Sequence, residues 1–165
     1  MNAPVERHDA PAPPRATYKG DLHAWAREQA ALLRAGRPSE ADAANIAEEL
    51  DDVGNEQYDK LEGALGVLLT HMLEWDHQPE RRGRSWANSI AAQRLAIAKV
   101  LRKNPSLKSS REEAVGEAWD GARLQASSET DLPLDAFPEA LPYDWPAITE
   151  RPFLFEPPAP ARRRR

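Results

Sequence analysis

The chain has 165 residues, no cysteine and a formal net charge of −5. Its length fits one domain, the absence of thiols excludes disulfides and thiolate metal sites, and its acidity disfavours general attraction to nucleic acid. The N-terminus has no apolar secretion signal, and the longest nearly apolar run, Ala64 to Leu69, is too short to span a bilayer. We therefore expect a cytoplasmic protein with no membrane partner.

Both ends of the chain are rich in proline and show no helical periodicity. Segments of this composition bury too little apolar surface to fold by themselves. We expect a disordered tail over residues 1–17, one helical domain over 18–155, and a disordered basic tail over 156–165 that ends in four arginines.

The spacing of apolar residues predicts four helices, and no stretch alternates as a half-buried strand would. The fold class is therefore all-α, a small helical bundle of about four helices with a proline-rich C-terminal strap. Ser110 and Glu113 match a capping box at the start of the fourth helix. The helices are expected at about 21–35, 42–75, 85–102 and 110–128, with Ser39 as an alternative start of the second.

The second predicted helix is unusually long. Its apolar stripe keeps the helical period from Ile46 to Trp75 and crosses Gly54 without losing phase, which favours one continuous helix. We expect the whole stripe to be buried. The acidic residues on the other faces should be solvated, namely Glu48, Asp52, Asp59 and Glu62.

The strap, residues 130–155, contains too many prolines for long elements but is rich in large apolar groups. We expect it to run extended, with short turns, over the helices. Its contacts should come from Leu132, Leu134, Phe137, Tyr143, Trp145 and Ile148, while tryptophans anchor the four helices: Trp25, Trp75, Trp86 and Trp119.

Four segments of the chain are distinctive: DLHAWAREQAALLRAGR, NIAEELDDVG, LLTHMLEWDHQPERRGRSW and ETDLPLDAFPEALPYDW. In this order and spacing, over roughly Tyr18 to Phe155, the sequence resembles a bacterial family known as domain of unknown function twenty-nine. The resemblance implies a small, mostly helical bacterial protein without an established activity. It supports the fold and supplies no mechanism.

His71 is the residue best suited to metal binding or acid–base chemistry. It falls inside the apolar stripe, between Leu68 and Trp75, so it should face other helices. A buried imidazole needs hydrogen-bond partners and can act as a metal ligand or general base. Because the His-Glu-x-x-His spacing of zinc enzymes is absent, a core histidine held by a carbonyl or carboxylate is the preferred interpretation. The sequence predicts no catalytic residue, metal or cofactor.

Glu49 and Arg94 lie at the edges of apolar faces on the second and third helices. We expect Arg94 to pair with a carboxylate such as Glu49. Glu49 precedes His71 by about 33 Å along a straight helix. The three residues therefore form one candidate site only if the chain folds back at Gly54.

The segment from Arg81 to Arg111 has nine basic residues and no acidic one. Such a segment can bind the phosphates of a polyanion, although a solvated basic face with internal ion pairs is the simpler interpretation. Lys99, Arg102 and Lys103 should point outward. The candidate polyanion-binding residues are Arg81, Arg82, Arg84, Lys99, Arg102 and Lys103.

Three functions are compatible with these patterns. The leading interpretation is a non-catalytic module that binds protein, including a second copy of itself. The first alternative is binding of nucleic acid or another polyanion through the basic segment, although tight nucleic-acid binding is not expected. The second is a metal-binding or catalytic bundle centred on His71, which a pocket with two or more carboxylates around that residue would favour.

Overall fold

The computed structural model describes residues 16–155 and is all-α, as the sequence predicts, with no strand in that range. The four predicted helices begin and end within two residues of the expected positions. The 3-10 turns that join them each begin at a proline, whose missing N–H is unneeded in a first turn. The α-helices are α1 (Leu22–Arg34), α2 (Ala43–His77), α3 (Arg84–Lys103), α4 (Arg111–Thr130) and α5 (Trp145–Glu150).

Aspartates cap the first two helices. The Asp21 carboxylate accepts a hydrogen bond from the backbone N–H of Ala24 at 2.9 Å, and Asp42 accepts one from Asn45 at 3.3 Å. The capping box predicted at Ser110 is wrong. That residue has φ −95° and ψ 8° rather than the extended backbone of a side-chain cap, and its hydroxyl makes no capping bond.

The helix α2 is continuous across Gly54, as predicted. The contacts within the chain nevertheless form two compact units that meet between Val53 and Gly54. The expectation of one helical domain over 18–155 stays a prediction. The two expected tails lie outside the described residues, except for Ala16 and Thr17.

The first unit contains α1, the turn Pro38–Glu40 and the beginning of α2. Its buried side chains are Trp25, Gln29 and Leu32. The amide oxygen of Gln29 accepts a hydrogen bond from the backbone N–H of Asp42 at 2.8 Å, which ties the start of α2 to α1. The predicted burial of the whole α2 stripe is wrong here, because Leu50 and Val53 are exposed.

In the second unit, the rest of α2 packs with α3, α4 and the C-terminal strap around one apolar core. From Leu61 onward the α2 stripe is buried, as predicted. Trp75 and Trp119 are buried and Trp86 packs partly buried on the core, as expected of anchors. The solvated positions on α2 also match, except that Glu62 is half-buried.

The strap covers the core through Phe137, Tyr143 and Ile148, all buried as predicted, whereas Leu134 is exposed. One of the turns expected in the strap is the short helix α5, where Pro146 occupies the first turn. The Asp144 side chain caps this short helix by accepting a hydrogen bond from Ala147 N at 2.8 Å. Throughout the described range, no helix is long and apolar enough to cross a membrane.

Candidate functional site

The cluster His71–Glu74–Glu129 is the main candidate site. His71 Nδ1 lies 2.5 Å from a carboxylate oxygen of Glu74, whose side chain is only 1% exposed. One potential ligand atom from each of His71, Glu74 and Glu129 lies within 4.8 Å of the others. An imidazole and two carboxyl groups are thus gathered at one point between α2 and α4.

The helices place these groups in register. His71 and Glu74 are three residues apart, a spacing that brings two side chains to the same face of a helix. Glu129 lies in the last turn of α4. That turn is held by Gln78, whose side-chain amide donates to the carbonyl of Thr130 at 2.8 Å.

Burial raises the pKa of Glu74, and the hydrogen bond shared with the Glu129 carboxyl raises it further, against the opposing effect of His71. The pKa of Glu129 is lowered by hydrogen bonds from Gln125 and from Glu74. The two carboxyl groups of the cluster thus have pKa values shifted in opposite directions.

The cluster opens on a cleft of about 390 Å³ between α2 and α4. Its floor is made by small residues, including Gly63, Gly66 and Gly121, where an added Cβ would meet nothing within 4 Å. Glu62 on α2 and Glu117 on α4 line the same cleft as His71 and Glu129. Among the described residues that line this cleft there is no lysine or arginine, and His71 is the only lining residue whose side chain can carry a positive charge.

Another carboxylate at the end of α2 has a different environment. Asp76 receives hydrogen bonds from both guanidinium nitrogens of Arg151, one of them at 2.8 Å, and from the Tyr143 hydroxyl at 2.8 Å. Burial opposes the charge of Asp76, but these hydrogen bonds outweigh it and lower its pKa. The strap thus supplies its own cation to Asp76.

The three residues of the sequence-based candidate site have separate roles. Arg94 donates to the backbone carbonyls of Ile148 and Arg151 at 2.8 Å, and to that of Ala147 at 3.2 Å. Its guanidinium thus binds the end of α5 and not a carboxylate, so the expected pairing with Glu49 is wrong. Glu49 instead accepts a hydrogen bond from Tyr18, which raises the pKa of that phenol to about 12.

The candidate polyanion-binding residues are also divided. The Arg82 side chain donates to the carbonyl of Trp75 at 2.7 Å and lies over its indole ring. Lys99 and Lys103 line a cleft of about 520 Å³ together with Lys60. Arg81, Arg84 and Arg102 are exposed, and Arg81 reaches the carbonyl of Glu129 only at 3.5 Å. Polyanion binding stays a prediction.

Sequence reasoning missed Glu74 and Glu129. The signal for Glu74 was the His71-x-x-Glu74 spacing, which puts both side chains on one face. A Glu-x-x-His spacing also exists between Glu74 and His77, but the ring of His77 contacts Phe137 at 4.9 Å. Glu129 could not be found by spacing, since it comes from another helix.

The fold and the cluster together define a small all-α protein with an acidic cleft that ends at a histidine. The model of the family described as "Domain of unknown function DUF29" matches residues 17–154. The chain belongs to this family, as its sequence segments indicated. Comparison with curated proteins and with solved structures gives no match.

Proposed function

We propose that the protein binds a divalent transition-metal ion at His71, Glu74 and Glu129. The observation that carries the proposal is the nearly fully buried Glu74 carboxyl, which faces an imidazole and a second carboxyl at the end of an open cleft. Buried carboxyl groups are stable when a cation or a proton compensates them. A bound cation would compensate the charge of this buried carboxylate.

The donor set indicates the class of ion. One imidazole nitrogen with two carboxylate oxygens suits Zn²⁺, Mn²⁺ or Fe²⁺, whereas Mg²⁺ and Ca²⁺ prefer oxygen alone. Metal–ligand bonds of about 2.1 Å require donors within roughly 4.2 Å of one another. Side-chain rotations would bring the observed separations, at most 4.8 Å, into that range.

The site would be an open one. His71, Glu74 and Glu129 would supply three protein ligands, one fewer than a closed structural zinc site has, so that a bound ion could also take water from the cleft and activate it. This proposal departs from the sequence-based expectation of no metal. It meets the condition stated for a metal-binding or catalytic bundle centred on His71, namely a pocket around that residue with at least two carboxylates.

Titration of metal-free protein with Zn²⁺ and Mn²⁺ at pH 7 tests the proposal by calorimetry. We expect a 1:1 complex with Kd of about 10 μM or tighter, and weaker binding of Mg²⁺. Glu74→Gln and Glu129→Gln should each weaken binding at least about 10-fold. Glu62→Gln is the matched control, because Glu62 lines the same cleft outside the cluster. Equal affinities in all four proteins, or no binding, would refute the site.

The leading sequence-based interpretation, a protein-interaction module, has support from a different observation. Four large apolar side chains stay exposed along one groove of the first unit. Patches of this kind mark interaction sites in soluble proteins. Protein binding is therefore a second proposed function, separate from the metal site.

A further inference from the structure

An apolar groove of about 660 Å³ runs between α1 and the beginning of α2. Large aliphatic side chains from both helices line it, and each is between 46% and 65% exposed. They are Leu22 and Leu33 on α1, and Leu50 and Val53 on α2. The groove lies entirely within the first unit.

The first unit buries few side chains of its own. A helix is stable in water when its apolar stripe packs on another element, and here the α2 stripe keeps its helical period while its first members face solvent. The exposed part of the stripe, Leu50 and Val53, therefore has no packing partner among the described residues of this unit.

The charges beside the groove indicate which partner would cover it. On α1, the groove shares His23, Ala26 and Ala30 with a basic flank that also contains Arg27 and Arg34. On α2, Glu49 lines the groove, and Asp52 follows it by one helical turn. One edge is thus basic and the other acidic.

We infer that the groove binds a second copy of this chain. A two-fold axis parallel to the groove places α1 of one copy against α2 of the other, so the basic edge of each copy meets the acidic edge of its partner. The apolar residues of both copies would then form the core of a four-helix arrangement. If both edges were neutral, charge would not favour a second copy of the chain over any other amphipathic helix.

The full chain is measured by sedimentation velocity over a range of concentrations at low and at physiological salt. We expect a monomer–dimer equilibrium that weakens as salt rises, because the edges attract through exposed charges. Leu50→Arg should weaken dimerisation at least about 10-fold, the scale of a central apolar contact. Leu95→Arg is the matched control, since Leu95 is 74% exposed on α3 and lies outside the groove.

A charge exchange makes the test specific to this geometry. Arg27→Glu alone should weaken the dimer, and adding Asp52→Arg in the same chain should restore it, because both edges then change sign together. Helix content by circular dichroism verifies that each variant folds. A monomer at all concentrations, or a dimer equally strong in the Leu50 and Leu95 variants, would overturn the inference. Neither outcome affects the metal titration, so the two proposals fail independently.

Discussion

Glu74 and Asp76 lie two residues apart at the end of α2, yet their surroundings shift the pKa values of the two carboxyl groups in opposite directions. Asp76 is paired with Arg151 and Tyr143 of the strap, and its pKa is lowered. Glu74 meets a histidine and another carboxyl, and its pKa is raised. Asp76 is therefore a structural carboxylate paired with an arginine, whereas the partners of Glu74 among the described residues are a histidine and another carboxyl group.

This difference suggests separate roles for the two residues: Asp76 stabilises the fold, whereas Glu74 belongs to the proposed binding site. A guanidinium that hydrogen-bonds a carboxylate stabilises the native state and leaves no room for a ligand. A buried carboxyl without such a partner is less favourable for folding, and groups of this kind cluster at functional sites. The contrast between the two residues is the physical basis of the proposed metal site.

The largest expected effect comes from the residue between them. Trp75 is buried and its indole lies edge-on to Phe153, with ring centroids 5.5 Å apart. Trp75→Ala should lower the free energy of unfolding by about 3–5 kcal/mol, as large-to-small core substitutions do. Urea unfolding followed by circular dichroism measures it. A loss below about 1 kcal/mol would mean that both carboxylates are positioned by something other than this anchor.

Asp76→Asn should have an intermediate effect. It removes the charge that Arg151 binds, at a cost of about 1–2 kcal/mol for a partly exposed, charge-assisted pair. Because the pKa of Asp76 is lowered, its contribution is present above the ordinary value of 3.8 and lost as the pH falls through the lowered pKa. The difference between variant and wild type should therefore disappear in acid. A difference that persists at low pH would show that packing, not charge, is responsible.

Glu74→Gln should have the smallest effect and the opposite sign. Because the pKa of Glu74 is raised, its contribution to folding is complete below the ordinary value of 4.5 and is lost as the pH rises through the raised pKa. Glutamine stays neutral, so the metal-free variant should be more stable at pH 7 by about 1 kcal/mol, or roughly 3 °C in Tm. Glu62→Gln again serves as the control. A destabilised Glu74 variant would indicate that His71 already supplies the missing cation.

Helix positions were predictable because they depend on local signals. Apolar periodicity and the flanking prolines located four helices to within two residues at each end. The strap was expected to contain only short turns because of its many prolines, and the bounds of the short helix α5 were not predicted, although proline is compatible with a first helical turn. Its stability comes from the Asp144 cap and from burial of Ile148, and the second of these depends on the tertiary fold.

Burial and partners were predictable only in part. Periodicity identifies which face of α2 is apolar but not whether anything covers it, so Leu50 and Val53 were wrongly expected in a core. Arg94 was expected to pair with a carboxylate because an arginine at the edge of an apolar face more often binds a negative charge than a backbone carbonyl. Its actual acceptors, carbonyls more than fifty residues away, are set by the path of the strap. Glu129 lies near His71 because α4 packs beside α2, and this packing of distant segments cannot be derived from residue spacing.

The three glycines under the cleft have a consequence for how this protein can diversify. A side chain added at Gly63, Gly66 or Gly121 would project into open space rather than into the core. Alanine there would also improve helix propensity. Larger or charged side chains at these positions would change the shape or charge of the cleft one position at a time. The lining of the cleft and the buried core can therefore vary almost separately, even though the same two helices contribute to both.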